Sequence, residues 1–101
     1  MLHVIELPVC FYDDHSARMS DKDPSQPAYS DRVLKQKSKL YVVEACDEAL
    51  EEILDDAEYY ASMRAGVDVE KDMFGIIMSA KATVKRIKAY RQSLAQAPEH
   101  A

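Results

Sequence analysis

Asp13, Asp14 and His15 are consecutive, and two carboxylates beside an imidazole are groups that hold a divalent metal ion or share a proton in acid–base work. Adjacent residues rarely converge on one ion without help, which here would have to come from His3 or Asp31. The spacing matches no compact metal motif such as HExxH or CxxC. An Asp pair closing a strand is also what a turn uses, each carboxylate accepting from nearby backbone, and that is the favoured reading. Cys46 precedes a helix start, where a thiolate would be stabilised, yet no histidine is near it in sequence. Cys46 and Cys10 are therefore expected to be reduced packing residues of an intracellular, cytoplasmic protein. Gly66 and Gly75 are isolated, so no glycine-rich phosphate loop exists. No catalytic activity and no cofactor are expected.

Binding chemistry has more candidates. On a helix, Glu48, Glu52, Asp56 and Tyr59 fall in line on one outer face, an acidic row ended by an aromatic. Such a row suits a basic protein partner, or imitates a phosphate row before a nucleic-acid-binding protein, as inhibitors from phages and mobile elements do. Further along the chain, Ile76, Thr83, Tyr90 and Leu94 widen an apolar helix face beyond what one shorter helix can cover, so either the sheet packs there or a second subunit does, and a homodimer is the favoured partner. Lys35, Lys37 and Lys39 recur at a spacing of two, which on one strand makes a basic strip for nucleic acid or, more simply, a lysine-protected edge.

The elements that position these residues follow from periodicity. Residues 3–12 read as a strand, rich in Val, Ile, Phe and Tyr, with His3, Ile5, Leu7, Val9 and Phe11 on one face. Pro8 cannot donate to a ladder and belongs at an edge or a bulge. Residues 13–30 are polar, contain Pro24 and Pro27 and show no period, so they read as a long loop, functional or mobile. Residues 33–44 read as a second strand. A helix over about 47–65 is marked by Asp47, Glu48 and Glu51 at its start, the stripe Leu50, Ile53, Leu54, Ala57 and Ala61, and a stop at Gly66. Asp68 can cap a second helix over about 69–96, where Met73, Ile77, Ala80, Val84, Ile87, Arg91 and Leu94 recur at alternating four and three.

The expected fold is α+β: a two-stranded antiparallel element packed on an antiparallel helical hairpin, in one domain over residues 1–101. The strand–helix–helix order from Ser38 to Ala95 resembles, in topology alone, ribbon-helix-helix DNA-binding proteins; the acidic first helix and the long second one depart from that pattern.

Charge is partitioned along this plan. The 101 residues sum to −5, with seven acids between Asp47 and Glu58, and Lys81, Lys85, Arg86, Lys88 and Arg91 in an acid-free stretch. In an antiparallel hairpin, the flank Asp47, Glu51, Asp55 and Glu58 meets the flank Lys81, Lys85 and Lys88, with Glu51 expected near Lys85. Much of the partition thus becomes an internal seam that fixes orientation and register. An acidic whole argues against broad nucleic-acid binding. The N-terminus lacks a basic n-region and its apolar run is broken by Glu6 and Pro8, unlike a signal peptide, and no apolar run is long enough to span a membrane. The expectation is a small protein–protein interaction or regulatory module, dimeric and without catalysis. The alternatives are an inhibitor presenting an acidic helix face and a nucleic-acid binder using the lysine strand.

Overall fold

The computed structural model describes residues 1–19, 31–63 and 71–96, without the side chains of Met19, Met63 and Lys71 to Met73. Its elements run β1 (Leu2–Pro8), α1 (Val9–Met19), β2 (Asp31–Lys37), β3 (Leu40–Cys46), α2 (Asp47–Met63) and α3 (Lys71–Gln96). The class is α+β, as expected, but the sheet has three antiparallel strands in the order β1-β3-β2. The expected stop at Gly66, the cap at Asp68 and residues 20–30 of the expected loop lie outside the described residues.

Two departures from the sequence reading reshape the molecule. The first strand ends at Pro8, and the chain turns directly into α1, whose Val9 N–H donates to the Lys39 carbonyl at 3.0 Å. Residues 9–12 favour strands by composition, yet Phe11, Tyr12 and His15 are all buried, a helical spacing that packs one face of α1 inward. Asp13 and Asp14 are therefore helical residues and not a strand-end turn.

The second departure splits residues 33–44 into a hairpin. Lys37 pairs with Leu40, so Ser38 and Lys39 form a two-residue turn, with Ser38 at φ 55°. Such turns usually announce themselves with glycine or asparagine, and here a serine takes the left-handed conformation. β3 is thereby the central strand, paired on both sides within the chain.

Register assigns the faces. His3, Ile5 and Leu7 pair with Ala45, Val43 and Tyr41, and this face packs under the helices. Val4 and Glu6 pair with Glu44 and Val42 on the opposite, uncovered face. A register shift between Val33 and Lys35 makes Leu34 the extra residue of a β-bulge. Strict alternation would put Lys35 beside Val33 on the helix-covered face; the bulge places it opposite Val42, and Lys37 opposite Leu40, on the uncovered one. Lys39 sits in the turn, so the expected three-lysine strip does not form.

The core joins Ile5, Leu7 and Val43 of the sheet to Phe11 and Tyr12 of α1, Leu50, Ile53, Leu54, Ala57 and Tyr60 of α2, and Ala80 and Ile87 of α3. Burying each of the larger aliphatic or aromatic side chains contributes roughly 1.5–3 kcal/mol before conformational entropy is counted. The α2–α3 seam is present, with Glu58 at 3.4 Å from Lys88 and Glu51 at 2.6 Å from Arg91. Glu51 thus meets Arg91 and not Lys85, a slide of nearly two helical turns from the expected register. Among the described residues, no helix is long and apolar enough to cross a membrane.

Candidate functional site

Successive helical residues point about 100° apart, since a turn takes about 3.6 residues, and α1 sends its three consecutive candidates to three different places. Asp13 faces the Tyr41 hydroxyl of β3, whose pKa is raised first by burial and then by that carboxylate. Asp14 faces the Tyr60 hydroxyl of α2. His15 Nδ1 donates to Asp56 Oδ2 at 2.9 Å, with the imidazole fully buried. The expected Asp13, Asp14 and His15 metal set does not converge, and among the described residues no group of three or more His, Cys, Asp or Glu is placed to hold a metal ion.

Arg18, one turn beyond Asp14, completes this arrangement. Its guanidinium pairs with the Asp56 carboxylate, Nη1 donates to the Tyr60 hydroxyl at 2.6 Å, and Cζ lies 4.3 Å from the Tyr60 ring centre. Phe11 stacks on His15 with centroids 5.8 Å apart. Asp14 Oδ2 and Arg18 Nε are buried without a hydrogen-bond partner among the described residues, a desolvation cost that the Arg18–Asp56 contact offsets. The result is a polar clasp between α1 and α2.

The clasp removes Asp56 from the expected acidic row. Asp56 was placed on the outer face because only one neighbouring helix was expected; α1 covers that flank, and the carboxylate is 8% exposed. Of the rest, Glu48 and Tyr59 are exposed and Glu52 is half-buried, so the row is broken in the middle. The hollow that Asp13 and Tyr41 border, about 540 Å³, is lined by Tyr12, Ser16, Ala17 and Val33, which bring no imidazole or thiol to it. Neither His15 nor Asp56 lines that hollow, and a His–Asp pair buried away from a cavity is poorly placed for proton transfer to a substrate.

His3 ties the sheet to the ends of the two long helices. Its Nε2 donates to the Asp47 carboxylate at the start of α2, and in the neutral ring Nδ1 accepts from the Tyr90 hydroxyl of α3 at 3.1 Å. Tyr90 is thus anchored from beneath by a buried histidine and half-exposed above. That bond gives a polar role to a tyrosine expected to be surplus interface area. The anchor was missed because His3 and Tyr90 lie 87 residues apart.

On the other side of Tyr90 lies the open site. A groove of about 670 Å³ is floored by Val4, Val42 and Glu6 of the uncovered sheet face. Lys35 and Lys37 of β2 border it, as do Arg86, Ala89, Tyr90 and Ser93 of α3. Lys37 pairs with Glu6 at 3.4 Å, and further along the same face Arg32 pairs with Glu44 at 3.0 Å. Leu94, 48% exposed, continues the α3 stripe one turn past Tyr90. Two of the three expected lysines and both α3 candidates therefore gather at one groove, or beside it, whereas Glu48, Glu52, Asp56 and Tyr59 belong to α2.

No protein-family model matches the chain, and no curated protein or solved structure is significantly similar to it.

Proposed function

We propose that the chain is a small, non-catalytic protein–protein interaction module whose recognition surface is the groove between the uncovered sheet face and the C-terminal half of α3. The observation that carries this reading is the groove's make-up: a floor of Val4, Val42 and the Lys37-paired Glu6, with cationic Lys35, Lys37 and Arg86 in its lining. An apolar centre rimmed by polar groups is the usual anatomy of a protein recognition patch. Asp13, Asp14 and His15 of α1 are each engaged by a contact within the fold, which supports a binding role over an enzymatic one.

The phosphate-mimic alternative loses support from the same geometry, because Asp56 is buried and Glu51 and Glu58 are engaged by Arg91 and Lys88. The nucleic-acid alternative loses Lys39 to the turn. Homodimerisation also changes its basis: Thr83 is buried and Tyr90 is bonded to His3, so pairing through the long helix falls to Phe74 and Met78, exposed one turn apart.

Affinity purification of the tagged chain from its native host tests the reading. Saturable recovery of a protein partner is expected; recovery of nucleic acid alone, or of nothing above an untagged control, overturns it.

A further inference from the structure

The groove's charges are unevenly satisfied. Glu6 takes up Lys37, and Glu44 takes up Arg32. Lys35 and Arg86 are both exposed, come from different elements, and have no ion pair among the described residues. Lys35 sits opposite Val42, 8% exposed, and beyond Val42 on β1 come Glu6, held by Lys37, and Val4, 52% exposed. Two uncommitted cations at the border of a floor whose exposed aliphatic surface is mainly Val4, and whose Glu6 is already paired, have a chemical complement: carboxylates flanking aliphatic side chains.

We infer that the groove takes an extended segment of a partner protein, one that carries Asp or Glu beside Val, Ile or Leu. This deepens the proposed function and rests on it. The volume, about 670 Å³, falls in the range of small-ligand sites and holds a few residues of extended chain. The partner's aliphatic side chains rest on Val4 and Val42, and its carboxylates reach Lys35 and Arg86 at the borders, where Arg86 can bind in the bidentate manner of a guanidinium. A nucleic-acid strand fits less well. Among the described residues, the aromatic in the groove's lining is Tyr90, tied to His3 by its hydroxyl, and the whole chain carries −5, which opposes a polyanion at longer range.

The Leu34 bulge makes this site. Without it Lys35 would face the helix side of β2, and the groove would keep Arg86 alone as an uncommitted cation.

The test is a selection from a phage-displayed library of random short peptides against the wild-type chain, followed by fluorescence anisotropy of the enriched peptides. Binding is compared on wild type, the double variant Lys35→Glu/Arg86→Glu, and Lys85→Glu, an exposed α3 lysine outside the groove. Enriched peptides rich in acidic and aliphatic residues are expected, binding the double variant at least about tenfold more weakly and Lys85→Glu unchanged. Peptide-induced amide shifts in the wild-type NMR spectrum are expected at Val4, Val42, Ala89 and Ser93, a readout that does not depend on the variant folding.

Enrichment without acidic bias, equal binding to the double variant, or shifts elsewhere overturns the assignment. So does single-stranded oligothymidylate binding that the double variant abolishes in the absence of any peptide binding. A host partner recovered equally by wild type and the double variant ends the groove assignment and leaves the interaction reading standing; the absence of any specific host partner ends the reading itself.

Discussion

His15 Nδ1 lies 2.9 Å from Asp56 Oδ2, and the side chains are 0% and 7% exposed, so an ion-pair geometry is enclosed where α1 meets α2. Arg18 reaches the same carboxylate. Removing one member of such a set leaves the others buried without a counter-charge, which costs more than the intact set contributes. Asp56→Ala is expected to lower stability by about 3–5 kcal/mol in urea unfolding. Asp56→Ala combined with His15→Leu and Arg18→Met is expected to recover part of that loss. A single-variant loss below about 1 kcal/mol would mean that the clasp is open to water.

Stability should fall at both ends of the pH scale. The hydrogen bond from His3 holds the Asp47 carboxyl below its ordinary 3.8, so its contribution is present above that value and is lost as pH falls through the lower folded-state pKa. Burial first, and then Asp14, pushes the Tyr60 phenol up to about 12. Its neutral form is favoured in the folded chain, so its contribution is complete below 10.0 and is lost as pH rises towards 12. Tyr60→Phe should flatten the alkaline limb and His3→Gln should shift the acid limb to higher pH, both read from melting midpoints across the range.

The Glu51–Arg91 contact sets the register of the helical pair. A double-mutant cycle with Glu51→Lys and Arg91→Glu is expected to give a coupling of roughly 0.5–1 kcal/mol. The same cycle with Lys85→Glu in place of Arg91→Glu is expected to give none. Appreciable coupling to Lys85 would mean that α3 sits two turns away from the register described.

Ser38 occupies a left-handed conformation that an L-residue with a Cβ adopts at a cost of roughly 1–2 kcal/mol. Part of that returns when the side chain is removed, less the greater unfolded-state freedom of glycine. Ser38→Gly should raise stability by about 0.5–1 kcal/mol, and Ser38→Val should lower it by more than that. Thermal unfolding of the two variants gives the sign directly.

Periodicity alone disclosed α2 and α3, because each has a long apolar repeat, and it grouped His3, Ile5 and Leu7 on one strand face without saying which face turns inward. It failed at α1, where Val, Cys, Phe and Tyr favour strands and only the Phe11, Tyr12 and His15 spacing hints at a helix. Missing that helix also misplaced Asp56, since nothing else in the sequence says that a second element covers the flank. The hairpin was hidden by its turn, Ser38-Lys39, which carries no glycine. The groove could not be read from sequence: Lys35 and Arg86 are 51 residues apart, and only the bulge and the sheet register bring them to the same space.

The Leu34 bulge exposes the molecule to a kind of change that substitution does not capture. Deleting Gln36 would leave every charge of the protein in place, yet absorb the bulge by bringing Leu34 opposite Val42 and Lys35 opposite Tyr41, on the helix-covered face, while Lys37 stays opposite Leu40. Specificity here is stored in a count of residues. A lineage could therefore discard one cation of the groove's border by the in-frame loss of one codon, with net charge unmoved.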